Sequence, residues 1–285
     1  MKANERLFLD VHILQTVPPS CVNRDDTGSP KSAIYGGANR ARVSSQSWKK
    51  AMRGMFEELM PQDSLGKRTK RIVSMVEKEI QKLGGIENAE EAAINILTAA
   101  GLKIKSAEKG TDALFFMSAA QAKALAKVAV EDPDTIKSTP SAEAKKKAKQ
   151  ALIESPGVDI ALFGRMVADE PSLNTDACAQ VAHSISTHKV SREYDYFTAV
   201  DDLSPEDNTG AGHIGTVEFN SSTLYQLRHC CGARTASPPE RRNGRSSKGI
   251  FICICVFHAH GQAKHFCQPY LARCCIGDAA ERPTH

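Results

Sequence analysis

Seven of the nine cysteines lie in the last 58 residues, from Arg228 to His285, and only Cys21 and Cys178 precede them. The charge balance breaks at the same place. The final segment holds nine Lys or Arg against three acids, which leaves 28 bases and 30 acids of the 37 and 33 in the whole chain to the 227 residues before it. The chain therefore reads as a body, 1–227, joined near Leu227 to a tail of different composition. Within 285 residues, a hydrophobic content of 41% is enough for a packed core. Because the body is slightly acidic overall, any site for a polyanion must come from local clustering of cations rather than from bulk charge.

Such a cluster stands at "RARVSSQSWKKAMR". Arg40, Arg42, Lys49, Lys50 and Arg53 carry charge, Ser44, Ser45 and Gln46 add uncharged donors, and no acid is interleaved. The period here is helical, with Ser45 as N-cap and Trp48, Met52, Met55 and Leu59 as one apolar stripe. Lys or Arg in the first two turns opposes the helix dipole, so helix stability does not explain them. Free N–H groups and the dipole's positive end favour an anion at that place. Serine and glutamine can bond phosphate or sugar oxygens without adding charge. A site that tracks a nucleic-acid backbone accounts for the pattern better than a generic basic face.

Ahead of this helix, "LFLDVHILQT" alternates as a half-buried strand. "VPPSCVNRDDTGSPKSAIYGGANR", holding Arg24 and Lys31, reads as one long loop. Residues 66–155 read as helices at "GKRTKRIVSMVEKEIQKL", "AEEAAINILTAAG", "SAAQAKALAKVAV" and "PSAEAKKKAKQALIE", with a short strand at "DALFFMS". The lysines of the last helix read as a solvated face. Strands are expected again at "VDIALFGRM", which ends in Arg165 and Met166, and at "QVAHSISTHKV". Met166 suits core filling or, beside a cation, wedging between bases. A hairpin is expected over about 190–215, with a polar tip between Asp201 and Gly215. His188, Asp201, Asp202 and His213 match no zinc or two-metal spacing. No phosphate loop, dinucleotide turn or activated nucleophile is present. No metal, cofactor or catalytic group is therefore expected. The absence of an apolar run of membrane-spanning length, with Asp10, His12 and Pro18 interrupting the first segment, points to a cytoplasmic protein without a membrane partner.

The opening strand, "PPSCVNRDDTGSPKSAIYGG", "RVSSQSWKKAMR", "VDIALFGRM", "VAHSISTHKV", "DYFTAVDDL" and "GTVEFNSSTLY" follow one another in the order and approximate spacing of CasC. Residues Leu7 to Tyr225 thus resemble this backbone subunit of type I-E CRISPR Cascade complexes. The resemblance implies an α+β fold: an RRM-like (ferredoxin-like) palm over 1–60 and 157–227, a helical fingers insertion over 61–156, and a β-hairpin thumb. It also implies an RNA-binding protein that polymerises along a guide RNA (crRNA) beside other Cascade subunits and presents the guide to target DNA in antiviral defense. By matching motif, Arg24, Lys31, Ser44, Gln46, Lys49, Lys50 and Arg53 would contact phosphates and sugars, with Arg165 and Met166 near a displaced base. Contacts of that kind are indifferent to sequence, as a reader of variable guides requires. Related CRISPR backbone subunits that cut RNA with a thumb aspartate supply the alternative, with Asp201 or Asp202 as the candidate.

The tail, 228–285, resembles none of the family's continuation. Cys253, Cys255, His258, His260, His265 and Cys267 invite a zinc site, but adjacent Cys pairs and C-x-C spacing fit the usual knuckle poorly. A reading frame shifted after about Tyr225 fits better. Dropping one base from codons allowed for "HFCQPYLARCCI" permits a sequence closer to the family's. An out-of-frame tail would leave the palm incomplete, with an open sheet edge and exposed core.

Overall fold

The computed structural model describes residues 8–106, 108, 110–199 and 213–231, together with the backbone of a short strand at 273–276. In chain order the strands and α-helices are β1 (Phe8–Ser20), β2 (Ser32–Tyr35), β3 (Ala38–Val43), α1 (Ser45–Leu59), β4 (Gly66–Thr69), α2 (Ile72–Leu83), α3 (Ala89–Ala99), β5 (Ile104–Ser106), β6 (Gly110–Thr111), β7 (Phe115–Ser118), α4 (Ala119–Glu131), α5 (Ala142–Glu154), α6 (Val158–Phe163), β8 (Ala179–Val181), β9 (Ser184–Ser186), β10 (Glu193–Ala199), β11 (His213–Cys231) and β12 (Arg273–Ile276). The fold is α+β and divides into two compact units. Among the described residues, one unit comprises Met55–Gln180 with Cys230 and Cys231, and the other Phe8–Gly54, Val181–His229 and β12.

The second unit is built on an antiparallel sheet in the order β12-β1-β11-β9-β3-β2, with β8 and β10 also pairing with β11. Alternation along β1 buries Val11, Ile13 and Val17 and leaves His12, Leu14 and Thr16 exposed. Ala41 and Val43 of β3 and Leu224 of β11 join the buried face, as do Trp48 and Met52 from the start of α1. The Arg228 guanidinium lies 5.9 Å from the Trp48 ring centre, which places α1 on this buried side of the sheet. The apolar stripe of α1 continues from Met52 to Phe56, which is 1% exposed, and not to Leu59, which is 52% exposed. Helical spacing of four carries the burial through positions 48, 52 and 56.

Inside the stretch read as one long loop, β2 and β3 form a hairpin closed at Tyr35 and Ala38. Its two-residue turn, Gly36-Gly37, has φ of 62° and 71°, values that glycine adopts without steric penalty and that match strand twist. A second hairpin pairs β10 with β11 from Glu193 opposite Phe219 to Ala199 opposite His213. Its tip, including Asp201 and Asp202, lies outside the described residues. The Phe197 ring covers Gly215 so closely that a Cβ there would lie 2.4 Å from Cζ.

Two expectations about the tail are corrected. β11 runs on without a break through Cys231, burying Arg228 and Cys230 at 2% and 3% exposure, so these residues belong to the body. The sheet edge along β1 is not open there either, since β12 pairs with Val11–Leu14.

The first unit packs α2, α3, α4 and α5 around Ile72, Val76, Ile80, Ile96, Leu97, Leu125 and Leu152. α4 begins with a capping box, Ser118 Oγ accepting from Gln121 N–H while the Gln121 side chain accepts from Ser118 N–H. Lys145, Lys146 and Lys147 of α5 lie exposed opposite the buried Ala144, Ala148 and Leu152, as a solvated face requires. The expected helix from Gly66 starts only at Ile72, because Gly66–Thr69 pairs with β7. A Cβ at Gly66 would meet the Phe116 ring at 2.7 Å. The strand expected at Val158 is also overturned: Val158–Phe163 is the short helix α6. A six-residue apolar run is ambiguous between the two periods, and Asp159 decides it here. Its carboxylate is buried and accepts Gly66 N–H at 2.8 Å and Ile160 N–H at 3.1 Å. Replacing Asp159 with Ala strands a buried donor and should lower stability by about 1–3 kcal/mol in urea denaturation. An unchanged midpoint would contradict this account of the α6 start.

Candidate nucleic-acid interface

Four hydrogen bonds shape the N-terminus of α1. Ser44, not Ser45, is the cap: its Oγ accepts Ser47 N–H at 3.3 Å and its carbonyl accepts Trp48 N–H at 3.2 Å. Ser44 N–H donates to Asn23 Oδ1 at 3.0 Å, which ties the preceding loop to the helix start. Ser45 N–H donates to His183 Nδ1 at 3.3 Å, so the imidazole carries its proton on Nε2. Two of the helix's first N–H groups are thus already satisfied. An anion at this end must rely more on side chains than the sequence pattern implied.

The loop from Asn23 to Lys31 is internally ordered. Asp25 Oδ1 accepts from the Thr27 hydroxyl and from the Thr27 and Ser29 N–H groups, bonds that hold its carboxyl below the usual range. Arg24 is exposed and donates to Gly28 O at 2.7 Å. Lys31 N–H donates to Asn23 O, and Arg42 N–H to Lys31 O, so Lys31 sits beside β3. Arg24, Lys31, Ser44, Gln46, Lys49, Lys50 and Arg53 are therefore all carried by one unit, on a clipped loop and the first turns of α1. Gln46 and Lys50 are exposed, Lys31, Lys49 and Arg53 half-buried, and Ser44 buried. Ser44 acts as the cap rather than as an open donor. No acid lies in the first turn of α1.

Arg165 and Met166 lie in the other unit and separate into different roles. Arg165 is 5% exposed, and its guanidinium donates to the carbonyls of Leu173, Phe116 and Leu152 at 3.0–3.2 Å and to Gln121 Oε1 at 3.4 Å. Burial lowers its pKa to about 10, which leaves it charged at neutral pH. Its donors are engaged within the protein, so it departs from the expected place beside a base and acts as a structural hub. Met166, the next residue, is 84% exposed.

His183 was missed in the sequence, where a histidine in a strand-like run carries no marker of proximity to a helix 138 residues earlier. His188, weighed above as a ligand, is exposed and bonds to the backbone: Nε2 accepts Thr223 N–H and Nδ1 donates to Lys189 O. Among the described residues no three His, Cys, Asp or Glu side chains converge as a metal site. None of the described helices is long and apolar enough to cross a membrane.

A family model described as CT1975-like protein matches residues 9–229. The chain belongs to the CT1975-like family. The match ends within two residues of the compositional break at Leu227. No curated protein matches the chain. Among solved structures, a chain of a CRISPR RNA-guided surveillance complex in a pre-nicking form is 30% identical over 98% of this chain and 80% of that one, at a TM-score of 0.74. A chain of a second CRISPR RNA-guided surveillance complex is 26% identical over 89% and 71%, at a TM-score of 0.61. This CT1975-like protein therefore shares its α+β architecture with chains of such complexes.

Arg165→Met should destabilise the protein by about 3 kcal/mol or more, since three carbonyls lose a charged donor in the interior. Met166→Ala should leave the melting temperature within about 1 °C. Equal stability losses in thermal unfolding would contradict the separation of roles.

Proposed function

We propose that this protein is a CasC-type backbone subunit of a type I-E Cascade complex, a non-catalytic protein that binds guide RNA along its backbone. In this reading the sheet with α1 is the RRM-like palm, the helical unit is the fingers, and the β10–β11 hairpin is the thumb. The protein polymerises along the guide, assembles with other Cascade subunits and meets target DNA through the guide. The observation that carries the proposal is the set of cations on the clipped loop and first turns of α1, with no acid in that first turn. Family membership and the likeness to chains of CRISPR RNA-guided surveillance complexes support the same reading.

The chemistry follows from the side chains. Arg24, Lys31, Lys49, Lys50 and Arg53 would neutralise successive phosphates, and Gln46 would donate to a phosphate or sugar oxygen. Ser44 would act indirectly by holding the loop and helix together. None of these groups reads a base edge, so affinity should not depend on guide sequence. Tyr194 and Tyr196 on β10, 65% and 63% exposed, would give the thumb its contact surface.

We also propose that the tail beyond Cys231 is translated out of frame. The composition change and the end of the family match near Leu227 support this. The coding DNA across codons 220–235 tests it: an intact frame there, shared by independent clones, would overturn it.

Lys50→Ala should weaken binding of unrelated RNA sequences by similar factors and reduce the salt dependence of log Kd by about one charge. Filter binding at several salt concentrations, with Mg²⁺ and Mn²⁺ present and the RNA checked for cleavage, measures both. A loss confined to one sequence, or metal-dependent cutting of the bound RNA, would overturn the proposal.

A further inference from the structure

The sheet of the second unit has another face. Ser184 and Ser186 of β9 and Leu224, Gln226 and Arg228 of β11 point to the side covered by α1, where they are at most 3% exposed. By strand alternation, Ile185, Thr223, Tyr225 and His229 point the other way, with Asp10, His12, Leu14 and Thr16 of β1 and Arg40 and Arg42 of β3. His12 and Thr16 are exposed and Leu14 is 48% exposed, and no described helix covers these positions.

Across this face the register aligns one continuous row. Arg42 lies opposite Ile185, and Ile185 opposite Tyr225. The Tyr225 hydroxyl is 2.7 Å from His12 Nδ1, and their rings are stacked at 6.1 Å with 26° between planes. Beside this row, Phe8 and His229 stack at 5.3 Å and 22°, and His229 Nδ1 is 2.5 Å from Asp10 Oδ1. Thr16 and Thr223 hydroxyls are 3.2 Å apart. Arg42 is held at the end of the row by its Nε–H bond to Ser32 O at 3.2 Å.

We propose that this face is a second RNA-contacting surface, on which Tyr225 and His12 stack a nucleobase while Arg42 meets the adjoining phosphate. The inference rests on the RNA-binding reading above but concerns a different side of the sheet from α1. Three features select single-stranded RNA over a protein partner. The rings are fixed by cross-strand hydrogen bonds and need no ordering on binding. Their edges carry polar atoms that an apolar protein interface would leave unsatisfied. A guanidinium ends the row, while Asp10, the one acid beside it among the described residues, is held by His229. Stacking of this kind is tolerant of base identity, which suits a guide of variable sequence.

The test uses the full chain and a 20-nucleotide oligouridine carrying 5-iodouridine, irradiated and mapped by mass spectrometry. The expected crosslinks fall on Tyr225 and His12. Tyr225→Ala and His12→Ala should each lose about 5- to 10-fold in affinity, while Tyr225→Phe should stay within about twofold. Should an alanine variant fail to fold, the wild-type crosslink map still decides. Crosslinks confined to residues 24–53, or alanine variants with unchanged affinity, would overturn this inference and leave the α1 site standing. Loss of self-association without loss of RNA affinity would also overturn it, by making the face a protein interface. Absence of any RNA binding by the wild type would overturn both this inference and the reading it rests on.

Discussion

Ser44 closes two connections at once: its hydroxyl caps α1 through Ser47 N–H, and its own N–H holds Asn23 Oδ1. The second bond makes the position of the Arg24–Lys31 loop a consequence of where the helix starts. Asp25 and its turn bonds then fix the loop internally, and the Lys31–Arg42 backbone bond returns it to the sheet. Five cations distant in sequence or on different elements thereby share one rigid support. Preorganisation matters because each flexible Lys or Arg ordered only on binding would lose side-chain entropy. The cap has a consequence for recognition as well. Together with His183 it consumes N–H groups that a bare helix end would offer to an anion, and shifts the attraction to the side chains.

The other unit depends on buried polar groups of the same logic. Arg165 gathers the carbonyls of Leu152, Leu173 and Phe116, which come from an α-helix, a short 3-10 helix and a strand. Asp159 satisfies the Gly66 backbone where glycine alone fits against Phe116. A buried charge is tolerated in such places because every neighbouring acceptor or donor is matched to it. The result is a rigid platform that presents Met166 outward.

Much of this was legible in the sequence where period and composition agreed. The alternation of β1, the helices at 89–99, 119–131 and 142–154, and the hairpin after Arg192 each carry one clear period and recognisable ends. The cations at 40–53 announced themselves by their lack of interleaved acids. Failures came where two readings used the same letters. "VDIALF" satisfies both periods, and only the bond from Gly66 to Asp159, 93 residues apart, selects the helix. Arg165 beside Met166 looked like a cation next to a wedge, but the acceptors that bury it are distributed over residues 116–173. His183 and the row from Arg42 to His12 depend on strand register, which local sequence does not reveal. The tail joint also moved: composition changes at Leu227, but burial continues to Cys230 and the strand's hydrogen bonds to Cys231.

In the function proposed above, this chain coats RNA by its backbone, one copy after another. Sedimentation velocity of the full chain with RNAs of increasing length and unrelated sequence measures this. The account predicts that bound copies rise in proportion to RNA length, with the same spacing for every sequence. A fixed stoichiometry of one protein per RNA, whatever its length, would contradict it.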